Sequence, residues 1–460
     1  MNDIKGQQIC MPQGNFFFAQ HDSSEWMYID SVAIGKESFF SYKTIKNDKD
    51  NEIGVFLDCC YSDANVVAVV YDWKKKLGYC KKGFDLNSAF DYKYQNACTS
   101  FVVVSRISSN SLISNTPYPP FPPPDIPRTF ITVHEGNFVT ETGERFHCVG
   151  PNIYWLGLTE NYHYPTHKDI ENMFLVAKNM SSTVIRSHTI GFSSGHTATL
   201  LENLENPLAW EPIDFTFYMA YKYNIRLICP LTDNYWWNNG NYGDYCAKYH
   251  LPKSDFWTNM LVRNEFKTYI SAWLNHINRY TGEPIKNDPH LFLIELGNEL
   301  GNIRPGKDGL PTTRPPREWL EDISLFIKSI DANHLILSGT DECLGGNTSQ
   351  DFSIDSIDVF SSHFYHVKYE RLHKNSHAAA EICKPYIIGE YSGHFDDDWF
   401  STIEQSNEIK GSVFWGLYPL GTAHTDGQTY NYGDPACADI LLKLTNHHRR
   451  MCGLEEIRVL

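Results

Sequence analysis

What this chain lacks narrows its function before any motif is considered. No stretch of its 460 residues approaches the 18 or so consecutive apolar positions of a membrane-crossing helix. The first residues, MNDIKGQQIC, carry no apolar core of a secretory leader. Positive charge is scarce: 39 Lys and Arg stand against 55 Asp and Glu, a net charge of −16. That balance argues against nucleic acid or an anionic membrane as the partner, and suits a neutral substrate. The cysteines at 148, 229, 246, 343, 383, 437 and 452 form no C-x-x-C pair and have no zinc-like spacing to histidine, so neither metal nor cofactor is expected. No glycine-rich phosphate loop follows the first strand of the larger region, which argues against a dinucleotide-binding open sheet.

What is present suggests two domains and an interlude. Residues 1–112 read as a β-rich accessory module, with runs such as WMYIDSVAI, NVVAVVYDW and SFVVVSRI separated by Gly, Asn and Asp. Within it, CCYSDANVVAVVYDWKKKLGYCKKG (59–83) resembles a PAN/apple module, although apolar residues around Val66 stand where that module has a cysteine. A small carbohydrate-binding β-sandwich is the alternative. Residues 113–128 hold seven prolines between Pro117 and Pro127, a composition that gives an extended linker or strap.

From residue 129 to 460 short apolar strands alternate with helical stretches. Eight strands are expected near 147–154, 183–189, 226–232, 291–299, 335–341, 359–365, 385–391 and 411–418. Helices are expected at 168–180, 213–224, 255–280, 317–331, 397–409 and 435–448, and a hairpin pairing 131–134 with 145–147 through ETGER would plug the bottom. Eight βα units predict an α/β fold, a (β/α)8 TIM barrel, with its active site at the C-terminal strand ends.

The fourth strand, LFLIELGNEL (291–300), ends in Asn298-Glu299, and strand alternation places Glu295 on the face of Glu299. Carboxylates on a buried strand are costly unless paired, which points to function. The seventh strand, PYIIGEY (385–391), ends in Glu390. Arg186, inside the apolar second strand, needs an anion, and either Glu390 or Glu295 would serve.

These strand ends, together with VGPNIYWLGL (149–158), TVIRSHT (183–189), CPLTDNYWW (229–237), SSHFYH (361–366) and GSVFWGL (411–417), resemble glycoside hydrolase family 5, and within it the β-mannanases. The resemblance runs from about Phe130 to the C-terminus. It implies that Glu299 is the acid/base and Glu390 the nucleophile of a retaining double displacement. Asn298 would contact the sugar 2-hydroxyl, Tyr365 would bond Glu390, and His363 would line the site. Trp415 would floor the reacting sugar, while Trp155, Trp236 and Trp237 either line further subsites or pack in the core. Arg186 is expected to hold Glu390 ionised by lowering its pKa.

The expected activity is hydrolysis of β-1,4-mannosidic bonds in mannan, glucomannan or mannooligosaccharides, endo or exo, by a monomer. A long Pro/Gly-rich segment at 301–319 would wall one cleft end and favour attack from chain ends. A β-1,4-glucanase and a non-catalytic carbohydrate-binding protein are the alternatives. Twelve cysteines and N-x-S/T sequons at Asn179 and Asn347 suggest a secreted, extracellular protein with disulfides.

Overall fold

A computed structural model describes the backbone of the strands between residues 3 and 107. It also describes 129–457, apart from 161, 197–198, 236–238, 302–313, 341–351 and 420–427. The Pro-rich interlude, the cysteines of 59–60, Trp236, Trp237, the sequon at Asn347 and most of the 301–319 segment therefore lie outside the described residues. The chain divides into two compact units, one built on Met1–Pro119 with Asn431–Ala438, the other on Pro120–Tyr418 with Asp439–Leu460.

The first unit is a seven-stranded antiparallel sheet. Its strands are β1 (Asp3–Cys10), β2 (Asn15–Gln20), β3 (Glu25–Ile34), β4 (Glu37–Lys46), β5 (Val66–Asp72), β6 (Leu77–Lys82) and β7 (Thr99–Ile107). Their spatial order is β4-β3-β2-β1-β7-β5-β6, so the first and last strands of the unit pair at its centre.

The second unit opens with a hairpin, β8 (Thr132–His134) and β9 (Asn137–Val139). The expected partner of 131–134 was 145–147. The tight turn instead falls at Glu135-Gly136, both with positive φ, and ETGER makes a second turn that returns Arg145 to Val139. The plug itself is real: Phe138 and Phe146 pack edge-on against Phe292 at 4.9 and 5.1 Å. They close the barrel floor onto Val184, Ile228, Leu293, Leu337, Ile387 and Val413.

Eight parallel strands follow: β10 (Cys148–Pro151), β11 (Val184–Arg186), β12 (Arg226–Pro230), β13 (Leu291–Glu295), β14 (Leu335–Leu337), β15 (Phe360–Phe364), β16 (Tyr386–Tyr391) and β17 (Ile409–Phe414). Two four-stranded runs, β11-β12-β13-β14 and β15-β16-β17-β10, are joined by parallel bridges at Leu337–Val359 and Asn152–Arg186. The sheet therefore closes into a (β/α)8 barrel. Both strand faces are covered, which is why these segments read as continuous apolar runs rather than as alternation.

Helices α1 (His167–Asn179), α2 (Pro207–Tyr223), α3 (Tyr242–Ala247), α4 (Met260–Asn275), α5 (Arg317–Ile330), α6 (Tyr369–Glu381), α7 (Asp397–Gln405) and α8 (Ala438–Met451) surround it. A capping box starts α1: Thr166 accepts from Asp169 N, and the Asp169 side chain accepts from Thr166 N. Helix α2 begins six residues before its expected start, because Asn206 caps it and Pro207 occupies its first position, with Pro212 accommodated inside. Helix α6 was not expected at all. Its inner face is Leu372, Asn375, Ser376 and Ala379, a helical spacing in which two of the four buried positions are polar.

Candidate active site

The C-terminal ends of the barrel strands converge on one guanidinium. Arg186, the last residue of β11, is fully buried. Its Nε and Nη2 donate to the two oxygens of Glu295 at 2.8 and 2.9 Å. Nη1 donates to Glu390 Oε1 at 2.8 Å and to Asn152 Oδ1 at 2.9 Å, and Nη2 also reaches Asn298 Oδ1 at 2.8 Å. One cation thus ties together β10, β11, β13 and β16. The fork pairs bidentately with Glu295, which leaves one edge for Glu390. The two anions considered for Arg186 are both its partners.

Strand β13 ends at Glu295, and the chain then leaves strand geometry: Glu299 has φ +49°. The i, i+4 argument for a shared face therefore fails here. Glu295 stays inside the barrel, whereas Glu299 is carried to the mouth in a left-handed conformation that costs a non-glycine residue of order 1 kcal/mol. Gly339 makes room for this departure, since a Cβ there would meet Gly297 O at 2.0 Å. At the mouth Glu299 accepts from Tyr235 OH at 2.5 Å and contacts His363 Nδ1 at 2.7 Å.

Glu390, on β16, accepts from Tyr365 OH at 2.6 Å on the oxygen that Arg186 does not use. His363 Nδ1 lies 3.4 Å from that same oxygen, so the imidazole bridges the two carboxylates. The reactive oxygens of Glu299 and Glu390 and a ring nitrogen of His363 all lie within 4.8 Å of one another. Gly389 provides the space for that ring: a Cβ would meet His363 Nε2 at 2.7 Å. His188 Nε2 sits 2.7 Å from Arg186 Nη1 and 3.8 Å from Glu390.

Trp415, half-buried at the end of β17, stacks on Tyr154 at 5.8 Å and lies 5.4 Å from the His188 ring. Trp155 follows the core alternative. It is 4% exposed, donates from Nε1 to Leu417 O at 3.3 Å and stacks on Tyr418. Sequence reasoning singled out neither Asn152, His188, Asp233 nor Tyr235. All four lie inside quoted motifs, and the available signal was a polar side chain at the end of an otherwise apolar strand.

Burial and charge oppose each other throughout. Burial pushes the Glu390 carboxyl up; His363 and Arg186 pull it down, Glu299 pushes it up again, and the balance lies above the usual range. Arg186 lowers this carboxyl, as expected, but does not bring it below the usual range, because desolvation together with a second carboxylate outweighs the pull. Burial would lower the His363 imidazole, but Glu390 and Glu299 outweigh burial and raise it. His188 is driven well below its ordinary value by burial, then by Arg186 and His363. It is therefore neutral, and its Nε2 accepts from the guanidinium. The Tyr365 phenol is raised by burial and by Glu390, so it remains a donor.

Two carboxyls of this cluster, Glu390 and Asp233, are thus raised above the usual range, each by burial first and then by neighbouring carboxylates. A barrel mouth holding one ionised carboxylate beside one protonated carboxyl has the equipment for acid-assisted displacement at an acetal carbon.

Residues 196–391 match the profile of the GH family 5 beta-mannosidase-like proteins. A probable mannan endo-1,4-beta-mannosidase A of Aspergillus flavus is 28% identical over 372 residues, covering 71% of this chain and 89% of that protein. A putative mannan endo-1,4-beta-mannosidase P of Arabidopsis thaliana is 26% identical over 347 residues, covering 62% and 82%. Among solved structures, the endo-1,4-beta-mannanase of Rhizomucor miehei superposes with a TM-score of 0.61 at 24% identity, over 70% of this chain and 99% of that one. A glycoside hydrolase family 5 mannosidase from the same organism gives 0.56 at 16% identity, over 71% and 98%.

Proposed function

We propose that this chain is a retaining glycoside hydrolase that cleaves β-1,4-mannosidic bonds in mannan, glucomannan or mannooligosaccharides. The observation that carries the reading is the approach of the Glu299 and Glu390 carboxylates to within 4.8 Å across the barrel mouth. Retaining enzymes hold their carboxyls about 5 to 5.5 Å apart, whereas inverting ones leave about 6.5 to 9.5 Å for a water.

Glu390 is the nucleophile. Arg186 and Tyr365 each donate to one of its oxygens and aim the carboxylate, which attacks the anomeric carbon and forms a glycosyl ester as the bond to the leaving oxygen breaks. Glu299 protonates the leaving oxygen, then removes a proton from the water that hydrolyses the ester. Asn298 takes the 2-hydroxyl, and Trp415 presents an aromatic face to the apolar side of the sugar. The sheet unit is an accessory, and a truncation starting near Pro127 should keep most activity on soluble oligosaccharides.

Secretion is supported by the cysteine count and by the exposed sequon residue Asn179. Against disulfides in the barrel, Cys148, Cys229, Cys246, Cys383, Cys437 and Cys452 are free thiols.

Incubation with mannan, glucomannan and carboxymethylcellulose, followed by product sizing, tests the specificity. Comparable rates on carboxymethylcellulose would sink the mannan assignment. Azide should restore part of the activity of Glu299→Ala as a β-glycosyl azide, and a first-formed α-anomer would exclude retention.

A further inference from the structure

Asp233 is a buried carboxyl that the mechanism above does not use. It follows β12, where a parallel bridge pairs it with Asn298. Asn298 N donates to Thr232 O at 2.8 Å and Asn234 N donates to Asn298 O at 3.1 Å, so the two strand ends are zipped on either side of it. The Asp233 side chain is fully buried. Its Oδ1 accepts from Asn298 Nδ2 at 2.9 Å and from Tyr235 N at 3.2 Å, while Oδ2 is buried with no hydrogen-bond partner among the described residues.

The consequence lies in the amide. A carboxamide has one acceptor oxygen and two N–H donors, and its two flip states differ only in what surrounds them. Here Oδ1 of Asn298 is committed to Arg186 and one N–H to Asp233. Only one flip state satisfies both, and it leaves one N–H to offer a sugar hydroxyl. The same carboxyl oxygen fixes the backbone of Tyr235, whose hydroxyl holds Glu299.

We propose that Asp233 is a positioning residue that sets the amide of Asn298 and the placement of Tyr235, and that through these two contacts its charge acts on the neighbouring Glu299. This rests on the mannosidic reading of the same pocket and deepens it. The charged and titratable groups that act on Asp233 are Glu299, from the residues after β13, and Glu390, from β16, and Asn298 links it to Arg186 of β11. On its own side Tyr235 contributes its phenol, and Lys253 donates to Asn234 O.

Burial pushes the Asp233 carboxyl up to about 7; the bonds from Asn298 and Tyr235 N pull it down, and Glu299 and Glu390 push it up. Below that pH the proton resides on Oδ2, the oxygen without a partner, and Oδ1 remains the acceptor that holds the amide. Above it a further negative charge stands beside Glu299 and helps that residue keep its proton.

Two variants separate position from charge. Asp233→Ala removes the acceptor and should lower kcat/KM on a mannooligosaccharide about 100-fold, the loss expected for freeing a buried hydrogen-bonded group. Asp233→Asn keeps an acceptor oxygen and should recover most of that loss, while its alkaline limb moves down by about one pH unit because the helping charge is gone. An Asp233→Ala enzyme of wild-type rate, or an Asp233→Asn profile superimposable on wild type, would overturn the proposal. Should Asp233→Ala fail to fold, Asp233→Asn alone decides.

A readout independent of substrate is the 13Cγ signal of labelled aspartate in the full chain. One resonance should titrate near neutrality, vanish in Asp233→Asn, and move to lower pH in Glu299→Gln and in Glu390→Gln. No aspartate titrating above about pH 6, or one indifferent to both glutamines, refutes the coupling even if the chain proves to act on another sugar.

Discussion

Replacing Arg186 by Met, similar in length and uncharged, separates what the guanidinium does for folding from what it does for Glu390. Its charge lies about 4 Å from those of Glu295 and Glu390, where an effective dielectric of about 20 gives roughly 4 kcal/mol per pair. For Glu390 that is an upward displacement of up to about three pH units, so the acidic limb of kcat/KM should climb towards neutrality. Breaking a fully buried pair costs about 3–5 kcal/mol, because Glu295 is left uncompensated, and the melting temperature should fall by roughly 5–10 °C. The double variant Arg186→Met/Glu295→Gln removes the stranded charge. It should regain much of the lost melting temperature and none of the lost activity at pH 5, since Glu390 still lacks its cation. Calorimetry and a pH profile on a soluble mannooligosaccharide measure the two effects separately. Recovery of activity along with stability, or an acidic limb that moves by less than about half a pH unit in the single variant, would refute the assignment of Arg186 to Glu390.

Four further outcomes follow from named contacts. Tyr365→Phe removes the 2.6 Å donor to Glu390 and should lower kcat about 10- to 100-fold with an acidic limb shifted upward, measured in the same pH series. Gly389→Ala places a methyl 2.7 Å from His363 Nε2 and should cut kcat while leaving the far-UV spectrum intact. Phe138→Ala opens the barrel floor and should cost about 3–5 kcal/mol in urea unfolding, with kcat at low temperature unchanged. Asp233 is raised from 3.8 to about 7 in the folded chain, so its stabilising contribution is complete below about pH 4 and disappears as pH rises through 7. The stability of wild type relative to Asp233→Asn should therefore decline between pH 5 and pH 8, by no more than about 4 kcal/mol.

The barrel was legible because parallel strands covered on both faces leave continuous apolar runs, and all eight of them stand where the apolar runs lie. Turns and polar helices were less legible. The hairpin turn at Glu135-Gly136 was overlooked because ETGER carries a stronger turn composition than HEGN, although both turns form. Helix α6 hides because Asn375 and Ser376 take inward positions: Asn375 donates to Ser362 Oγ at 2.8 Å, and Ser376 donates to Glu408 at 3.0 Å. A hydrogen-bonded inner face has the right spacing and the wrong polarity for a hydropathy argument.

In the site, charged residues were legible and the neutral and supporting ones were not. Arg186, Glu295, Glu299 and Glu390 are conspicuous because charge inside an apolar strand has few bland explanations. Asn152 reads as an ordinary polar residue, yet its amide donates to Gly389 O at 3.1 Å and Phe414 O at 3.2 Å while its oxygen accepts from Arg186, so it anchors the guanidinium to the seam where the barrel closes. Asp233 reads as a loop aspartate in TDNYWW, and its burial follows from the pairing of β12 with β13 that continues to its bridge with Asn298. The balance of the pocket is likewise a property of the closed barrel. Glu299 raises the Glu390 carboxyl only because closure places strands four and seven across one mouth. There Arg186 and His363 pull against burial and Glu299, and that contest sets how readily Glu390 ionises beside the acid that glycoside cleavage requires.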